Sequence, residues 1–331
     1  MKILIWHVHG GWMDSFVRGR HEYLVPATPQ GGPWGLGRAG RDWPASVRDI
    51  DPARIADEDV DIVVLQRPEE LTEAERLLGR RLGRDVAAVY LEHNAPRPFA
   101  FDSVHPLSDR STIPIVHVTH FNRLMWDNGR APTTVIEHGI PDPGYRYTGD
   151  LHALGAVINE PVRRWRVTGT DLLLEFSDAA PVDVFGMAGD KLLGAIGASD
   201  AQVRAAGDLQ TQLLHTELAK RRAYVHPMRW TSLGLSLLEA MQLGMPVLVL
   251  QTTEAGRAVP SGAGAISTDP DELVNAARML LGDPEEARSR GKVAREFALA
   301  HYGLGRFLDD WDAVIDEQVS RVHARGVPRL V

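Results

Sequence analysis

Short apolar runs alternate with amphipathic stretches along this chain, and that alternation restricts the fold more than any other feature. Several of the runs are bounded by Pro, Asp or Gly, as is typical of buried strands. The first series lies at residues 2–6, 62–65, 87–91, 115–118 and 135–136, and the second at 155–158, 182–185, 223–225, 247–250 and 264–267. Helical patterns lie at residues 69–82, 172–176, 210–219 and 235–243. Parallel strands covered by helices give this order, so two consecutive series predict an α/β chain of two domains.

The boundary between the two predicted domains lies at residues 138–145, a segment rich in Pro and Gly. We therefore expect an N-terminal domain over residues 1–145 and a C-terminal domain over residues 146–305. A further helix is predicted at residues 305–322, with one apolar side formed by Phe307, Leu308, Trp311, Val314 and Ile315. This helix packs either on the first domain or only on its own domain.

Composition excludes several classes of protein. The chain has 331 residues, 44% of them hydrophobic and 24% charged, which is typical of globular proteins with substantial cores. Its net charge of −8 argues against binding to nucleic acid. The chain contains no cysteine, which excludes disulfides, thiolate catalysis and cysteine-ligated zinc.

No part of the sequence predicts a membrane segment. A membrane span needs roughly 18 consecutive apolar residues, and no apolar run approaches that length. The first six residues predict a strand rather than a signal sequence, because His7 and His9 follow at once. We therefore expect a cytoplasmic protein.

The segment 224–250 contains the clearest candidate for a binding site. Gly234 precedes an apolar helix, Glu239 lies about one turn inside it, Gly244 ends it, and Pro246 leads into a strand. The start of a helix presents free backbone N–H groups and a positive potential, so it binds phosphate. A carboxylate one turn further in can accept hydrogen bonds from ribose hydroxyls. The segment therefore predicts a site for a nucleoside diphosphate sugar. The residues predicted to bind the diphosphate or the nucleotide here are Thr231, Ser232, Leu233, Gly234, Leu235 and Glu239.

This segment resembles the donor motif of the retaining glycosyltransferases of family four (group 1), which reads Glu-x-Phe-Gly-Leu-x-x-x-Glu-Ala and then Gly-x-Pro-Val. The matching residues are Gly234, Leu235, Glu239, Ala240, Gly244, Pro246 and Val247. The first acid of the motif is absent, because Thr231 stands eight residues before Glu239. The resemblance is strongest over residues 155–300. The alternative is an ordinary glycine–helix–glycine–strand unit of some other α/β protein.

The resemblance implies the GT-B architecture. Two Rossmann-like domains face each other across a cleft, the first recognises the acceptor, and the second binds the nucleotide-sugar donor. It also implies that the C-terminal helix, about residues 306–331, crosses back and packs on the first domain.

Two features of the first domain are candidates for the reaction site. Gly10 and Gly11 follow the first strand, where small residues let a ligand approach the backbone closely. His93 follows the strand at residues 87–91, and ligands gather at the carboxyl ends of parallel strands. The resemblance implies that the glycines meet the donor phosphates, the transferred sugar or the acceptor, and that His93 lines the cleft. The alternatives are a plain tight turn and a structural histidine.

Three further residues are candidates for contact with the acceptor. Trp12 and Trp34 adjoin glycines, and apolar rings can stack on sugars. His120 follows another predicted strand and is a candidate to face the cleft. An equal alternative is that this segment caps a helix, through Thr119. The nearby pattern Gly35-Leu-Gly37-Arg-Ala-Gly40 spells G-x-G-x-x-G. It follows no strand, so it does not predict a dinucleotide site.

An arginine cluster opens the second domain. The family has an arginine and a lysine here, which neutralise the leaving diphosphate. Thr168 occupies the lysine position, so the resemblance implies that the cations come from Arg163, Arg164 or Arg166. Arginine can hold phosphate oxygens through two parallel hydrogen bonds. A solvated basic loop is the alternative.

No metal site is predicted. The D-x-D spacings at residues 49–51, 59–61 and 269–271 lie in predicted turns or at a helix start, and the thirteen histidines form no H-E-x-x-H pattern. The resemblance implies that helix dipole and basic side chains replace a divalent ion. We therefore expect no metal and no cofactor, with the nucleoside diphosphate sugar as co-substrate.

Together these features predict a glycosyltransferase of the hexosyltransferase type. It moves a sugar from a nucleoside diphosphate sugar to a hydroxyl acceptor, and the resemblance implies that it does so with retention of configuration. The predicted catalytic residues are His93, Arg163 and Glu239. One alternative is a sugar-nucleotide epimerase or a phosphorylase on the same fold. The other is a nucleotide-sugar-binding protein without transfer activity, which Thr231 and Thr168 motivate. The sequence leaves the base, the sugar, the acceptor and the oligomeric state open.

Overall fold

A computed structural model describes residues 1–326 of the chain. The chain divides into two compact units. The first unit contains Met1–Gly139 together with the described residues from Leu304 onward, and the second unit is Ile140–Gly303. The division lies within the Pro- and Gly-rich segment 138–145, because the residues after Gly139 fold with the second unit. The backbone N–H of Ile140 donates to the carbonyl of Tyr302 at 3.0 Å, and that of Tyr147 to Leu243 at 3.0 Å.

The first unit is built on a seven-stranded parallel sheet of order β3-β2-β1-β4-β5-β6-β7. The strands are β1 Lys2–Ile5, β2 Glu22–Pro26, β3 Val47–Ile50, β4 Ile62–Leu65, β5 Ala87–Glu92, β6 Ile115–His117 and β7 Thr133–Val135. Its helices are α1 Gly10–Phe16, α2 Glu69–Leu78 and α3 His120–Met125, with a 3-10 helix at Pro52–Asp57. The strand order reverses between β1 and β4, and such switch points are where open parallel sheets bind ligands.

The second unit is built on a six-stranded parallel sheet of order β10-β9-β8-β11-β12-β13. The strands are β8 Leu151–Val157, β9 Val182–Phe185, β10 Val203–Gly207, β11 Arg221–His226, β12 Val247–Leu250 and β13 Gly264–Ser267. The helices are α4 Pro161–Thr168, α5 Leu173–Ser177, α6 Leu192–Ile196, α7 Thr211–Leu218, α8 Leu235–Leu243, α9 Ala255–Ala258, α10 Pro270–Gly282 and α11 Pro284–His301, with a 3-10 helix at Thr170–Leu172. The order reverses between β8 and β11.

The two faces of the second sheet bury different helices. Leu248 and Leu250 of β12 pack in one apolar cluster with residues of α5 and α10, whereas Val247 and Val249 pack in another with α8 and α11. This alternation follows from the two-residue period of a strand. Strands covered on both faces read as continuous apolar runs, which is why the sequence predicts β12 at its observed bounds.

The last described helix, α12, is Leu304–Gly326 and belongs to the first unit. Phe307, Trp311, Ile315 and Val319, at helical spacing, are buried in the same apolar cluster as residues of β1, β4 and β5. Two other residues of the predicted apolar side, Leu308 and Val314, are only partly buried at its margin. Residues 327–331 of the predicted helix lie outside the described residues.

The α/β class with two parallel sheets, predicted from the alternating pattern, is confirmed. The sequence missed β2, β3 and β10. Both β3 and β10 are edge strands, and the two central residues of β3 and most residues of β10 are exposed, so neither forms a continuous apolar run. Within residues 1–326, no helix combines the length and apolarity that crossing a membrane requires.

Candidate functional site

The loop after β11 leads into α8, where the sequence predicts a phosphate site. Gly234 immediately precedes α8 and has φ −73, an angle that any residue can adopt. A β-carbon at this position would lie 2.6 Å from Cε1 of His226, a buried residue at the end of β11. The glycine is therefore required by close packing against the imidazole ring. The first N–H groups of α8, which have no partner within the helix, come immediately after this glycine in the chain.

Glu239 lies about one turn inside α8, and its side chain is 29% exposed. Its carboxylate Oε2 is 3.8 Å from Nε2 of His215 on α7, a distance too long for a hydrogen bond. Within residues 1–326 the carboxylate accepts no hydrogen bond from the protein. It is therefore available to accept hydrogen bonds from a ligand.

Arg229, in the loop between β11 and α8, is a candidate that the sequence analysis missed. Its guanidinium holds the carboxylate of Asp171 with two bonds, of 2.6 and 3.0 Å, and Asp171 also pairs with Arg166 at 2.9 Å. A groove of about 300 Å³ opens beside it at the carboxyl ends of β12 and β13; its lining residues are Leu172, Arg229, Leu250, Thr252, Thr268 and Pro270. The signal was available in the sequence, because Arg229 stands two residues before Thr231 in the motif segment.

The three predicted arginines lie on α4, which is bent at Trp165, where φ is +30. Arg163 is 68% exposed and forms an ion pair with Glu160. Arg164 is half-buried, and Arg166 is 70% exposed and pairs with Asp171. Since the bend separates Arg166 from the other two, the three guanidinium groups do not form one continuous helical face.

Thr168, at the family's lysine position, is fully buried at the end of α4. Its hydroxyl bonds to that of Thr170 at 3.1 Å, so this position is part of the core and carries no charge. Gly169 follows in the left-handed region with φ +68, and a β-carbon there would lie 1.9 Å from the carbonyl oxygen of Pro227. This close approach brings the end of α4 against the loop that carries Arg229.

In the first unit, His9, His93 and His138 follow the carboxyl ends of β1, β5 and β7. The ring centroids of His9 and His93 are 3.9 Å apart. Burial lowers the pKa of His9 and of His138 to about 4, and burial, with the nearby His9 and His138, lowers the pKa of His93 well below its usual value. All three imidazoles are therefore neutral at pH 7.

The orientation of His93 is fixed by Gln66. The amide nitrogen of Gln66 donates to the carbonyl of Trp6 at 2.8 Å, so its oxygen faces His93, whose Nε2 lies 3.0 Å away. The network thus assigns the proton to Nε2 of His93. The sequence does not reveal this contact, because only the pairing of β4 with β5 brings Gln66 to His93.

Part of the chain is similar to a known family and to a curated enzyme. Residues 175–283 match the family described as glycosyl transferases group 1. An alpha-D-kanosaminyltransferase of Streptomyces kanamyceticus is 26% identical over 131 residues, which are 39% of this chain and 34% of that enzyme. The match therefore spans about a third of that relative's length.

Two solved structures resemble the whole described fold. Anabaena Alr3699/HepE, in complex with UDP, has a TM-score of 0.72 and 15% identity, covering 96% of this chain and 100% of that one. Sucrose-phosphate synthase of Thermosynechococcus elongatus has a TM-score of 0.74 and 13% identity, covering 97% of this chain and 100% of that one. This chain has the GT-B fold and resembles the group 1 glycosyltransferases. The predicted GT-B fold is thereby confirmed.

The prediction that Trp12 contacts the acceptor is wrong. Trp12 is 3% exposed, stacks on Phe16 at 4.6 Å, and meets Trp311 of α12 edge-on at 5.5 Å. Its ring is part of the core, so it cannot serve as an exposed stacking surface. The apolar side of α1 faces the sheet and α12, and adjacency to glycine gave no information about this direction.

The other two acceptor candidates lie nearer the surface. Trp34 is 40% exposed, and the guanidinium of Arg67 lies over its ring at 4.2 Å. His120 begins α3, where Thr119 accepts a hydrogen bond from the N–H of Asn122 at 3.0 Å. The capping alternative for Thr119 is therefore observed, while the role of His120 stays a prediction.

The glycines after β1 lie in the first turn of α1. A β-carbon on Gly10 would lie 2.2 Å from the guanidinium of Arg41, which pairs with Asp14 at 2.6 Å. Gly10 therefore makes room for Arg41, and Gly11 is exposed. Contact of these glycines with the donor stays a prediction.

Among the residues from Met1 to Gly326, no group of three or more His, Asp or Glu side chains is placed to hold a metal ion. The first and last D-x-D spacings have structural roles. Asp51 accepts a bond from the N–H of Ala53 at 2.9 Å, and Asp269 from that of Asp271 at 3.0 Å. Both are caps of the helices that they precede.

Proposed function

We propose that this chain transfers a sugar from a nucleoside diphosphate sugar to a hydroxyl acceptor, with donor binding by the second unit. The observation that supports this most is the Glu239 carboxylate, which lies one turn inside α8, behind the glycine at the helix start, and accepts no hydrogen bond from residues 1–326. Such a pair of features suits the ribose and the diphosphate of one nucleotide. HepE was solved with UDP and with UDP-glucose, and TarM of S. aureus with UDP, which makes UDP the first nucleotide to test.

The chemical problem in this reaction is the departing diphosphate. The N-terminus of α8 supplies positive potential, and the arginines of α4 and Arg229 supply cations in the same unit. We propose that these groups stabilise the leaving group without a metal ion. The neutral His93 of the first unit is proposed to exchange a hydrogen bond with the sugar or the acceptor hydroxyl, for which its fixed ring orientation is suited.

The Glu239→Ala variant tests the donor assignment. Loss of the ribose contact should weaken nucleoside diphosphate binding by roughly 1.5–3 kcal/mol, the range of charged hydrogen bonds, because no other group here takes its place. Isothermal titration calorimetry with UDP measures this. Glu296→Ala, at an exposed site on α11, is the matched control and should bind as the parent chain does. Unchanged affinity in a folded Glu239→Ala variant contradicts the assignment.

The choice of nucleotide is tested first by thermal shift with UDP, GDP, ADP and dTDP. We expect one of them to raise the melting temperature, because a ligand that binds only the folded state stabilises it. If none does, the proposed donor site is wrong. Retention of configuration is tested separately by NMR of the first-formed product anomer.

Metal independence is tested by initial rates with and without EDTA. We expect the chelator to leave turnover nearly intact, since the proposed charge stabilisation comes from a helix start and arginines. Complete loss of activity that one divalent ion restores would contradict this part of the proposal.

Transfer must also be distinguished from binding alone. Thr231 and the buried, uncharged Thr168 occupy the positions of an acid and a lysine in the resembling family, which favours a binding protein as the second candidate. Detection of a glycosylated acceptor together with released nucleoside diphosphate decides for transfer. Binding of the donor with no turnover over a panel of hydroxyl acceptors decides for the second candidate.

A further inference from the structure

His215, on α7, is a buried polar residue whose hydrogen-bonding capacity is unused. It is 6% exposed, and within the described part of the chain neither ring nitrogen has a hydrogen-bond partner. A neutral imidazole carries one donor and one acceptor. Burying both without partners costs free energy, and native proteins rarely leave such groups unmatched. The position therefore requires an explanation beyond packing.

Glu239 is a hydrogen-bond acceptor that lies close to His215. Helices α7 and α8 pack against each other, and this packing brings Nε2 of His215 to 3.8 Å from Oε2 of Glu239. A hydrogen bond needs about 3 Å, so a small rotation of the carboxylate would complete it. Both side chains lack another hydrogen-bond partner among residues 1–326, so neither has to give up a bond to make this one.

Burial raises the pKa of Tyr224, and the nearby Glu239 carboxylate also raises it, but the hydroxyl of this tyrosine is already engaged. The hydroxyl of Tyr224 donates to the hydroxyl of Ser236 at 2.9 Å, one turn before Glu239 on α8. It therefore cannot donate its single proton to the carboxylate at the same time. The unsatisfied N–H of His215 has no such competing bond.

We propose that His215 is a positioning residue for Glu239. When ribose hydroxyls donate to the Glu239 carboxylate, Oε2 also accepts a hydrogen bond from Nε2–H of His215, which holds the carboxylate in one rotamer. A glutamate side chain loses rotational freedom on binding, and a fixed second partner reduces that cost to nucleotide affinity. His215 itself touches no nucleotide. This inference rests on the proposed function, in which Glu239 binds ribose.

The test is a double-mutant cycle on nucleotide affinity. Dissociation constants are measured by calorimetry for the parent chain, His215→Phe, Glu239→Ala and the double variant, with the tightest binder among UDP, GDP and ADP. The same proteins are titrated with the corresponding 2′,3′-dideoxynucleotide, which lacks the ribose hydroxyls. His215→Gln keeps a side-chain N–H donor and is the conservative control. Circular dichroism and melting temperature establish that each variant folds.

We expect His215→Phe to weaken binding of the ribonucleotide about 10-fold, as for one charged hydrogen bond, and to leave dideoxynucleotide binding unchanged. In the Glu239→Ala background the same substitution should have no further effect, and His215→Gln should recover part of the loss. A merely structural role would weaken both nucleotides alike. Additive losses in the double variant, or no loss in a folded His215→Phe, overturn the inference. If the parent chain binds no nucleotide, or if Glu239→Ala binds as well as the parent, the proposed donor site itself is wrong.

Discussion

At the scale of single residues, the structure gives Gly234 a packing role that the sequence does not reveal. The sequence indicates that a glycine here leaves the backbone open to phosphate. The structure adds that the ring of His226 occupies the space a side chain would need. No spacing rule reveals that contact, because it depends on how the loop after β11 turns back over the end of its own strand.

The Gly234→Ala substitution follows from this contact. Its new β-carbon would lie 2.6 Å from Cε1 of His226, so either the buried ring or the start of α8 must shift. We expect a loss of stability of about 1–3 kcal/mol, typical of overpacking, and weaker nucleoside diphosphate binding. Urea unfolding and calorimetry measure the two effects.

The matched control for this substitution is the His226→Ala background, in which the clashing ring is absent. Since φ at position 234 suits alanine, Gly234→Ala should cost little stability there. An equal loss in both backgrounds would show that the ring contact is not the cause.

At the scale of elements, α4 separates three arginines that the sequence treats as one cluster. The bend at Trp165 and the partners Glu160 and Asp171 could not be predicted from the spacing of the arginines, because both depend on the left-handed turns at either end of the helix. Exposed ion pairs of this kind contribute only about 0–1 kcal/mol to stability. Replacement of these arginines therefore reports on binding with little effect on folding.

Single alanine variants of Arg163, Arg164, Arg166 and Arg229 are expected to differ in their effect on ligands. Loss of an arginine that holds the diphosphate should weaken UDP binding about 10-fold and leave uridine binding almost unchanged, because uridine carries no phosphate. Titration of each variant with both ligands measures the difference. Equal small losses at all four positions would favour a solvated basic surface.

The elements also show which strands a sequence can predict. Each residue of β4 and of β12 is buried, so these strands appear as apolar runs at their observed bounds. In contrast, β3 has the sequence Val-Arg-Asp-Ile at the sheet edge, with its two central residues exposed. An edge strand does not have to be apolar on both faces. The residue pattern of such a strand therefore resembles that of a polar loop.

At the scale of the whole molecule, buried histidines link stability to pH. Burial lowers the pKa of His117 and His138 in the first unit, and of His226 in the second, to about 4 from an ordinary value of 6.5. The unfolded chain therefore binds these protons more readily than the folded chain. Their contribution to stability is complete above pH 6.5 and is lost as the pH falls towards 4.

We expect the free energy of unfolding to decrease steeply between pH 6.5 and pH 4, by on the order of 3 kcal/mol for each such histidine. Urea unfolding at a series of pH values measures this slope. His117→Gln removes one titrating group and should flatten the slope, whereas His152→Gln, at an exposed position, should not. A slope that is the same in all three proteins would contradict the assignment of the titrating groups.

The packing of α12 bears on the order in which the molecule is made. The second unit, Ile140–Gly303, is continuous in sequence, but the first unit is completed by Phe307, Trp311 and Ile315. During synthesis the first 139 residues emerge well before the helix that closes their core. Domains commonly fold from the N-terminus as the ribosome proceeds. Here we expect the reverse: the middle of the chain reaches its final state first, and the N-terminal sheet waits for the C-terminal helix to leave the ribosome.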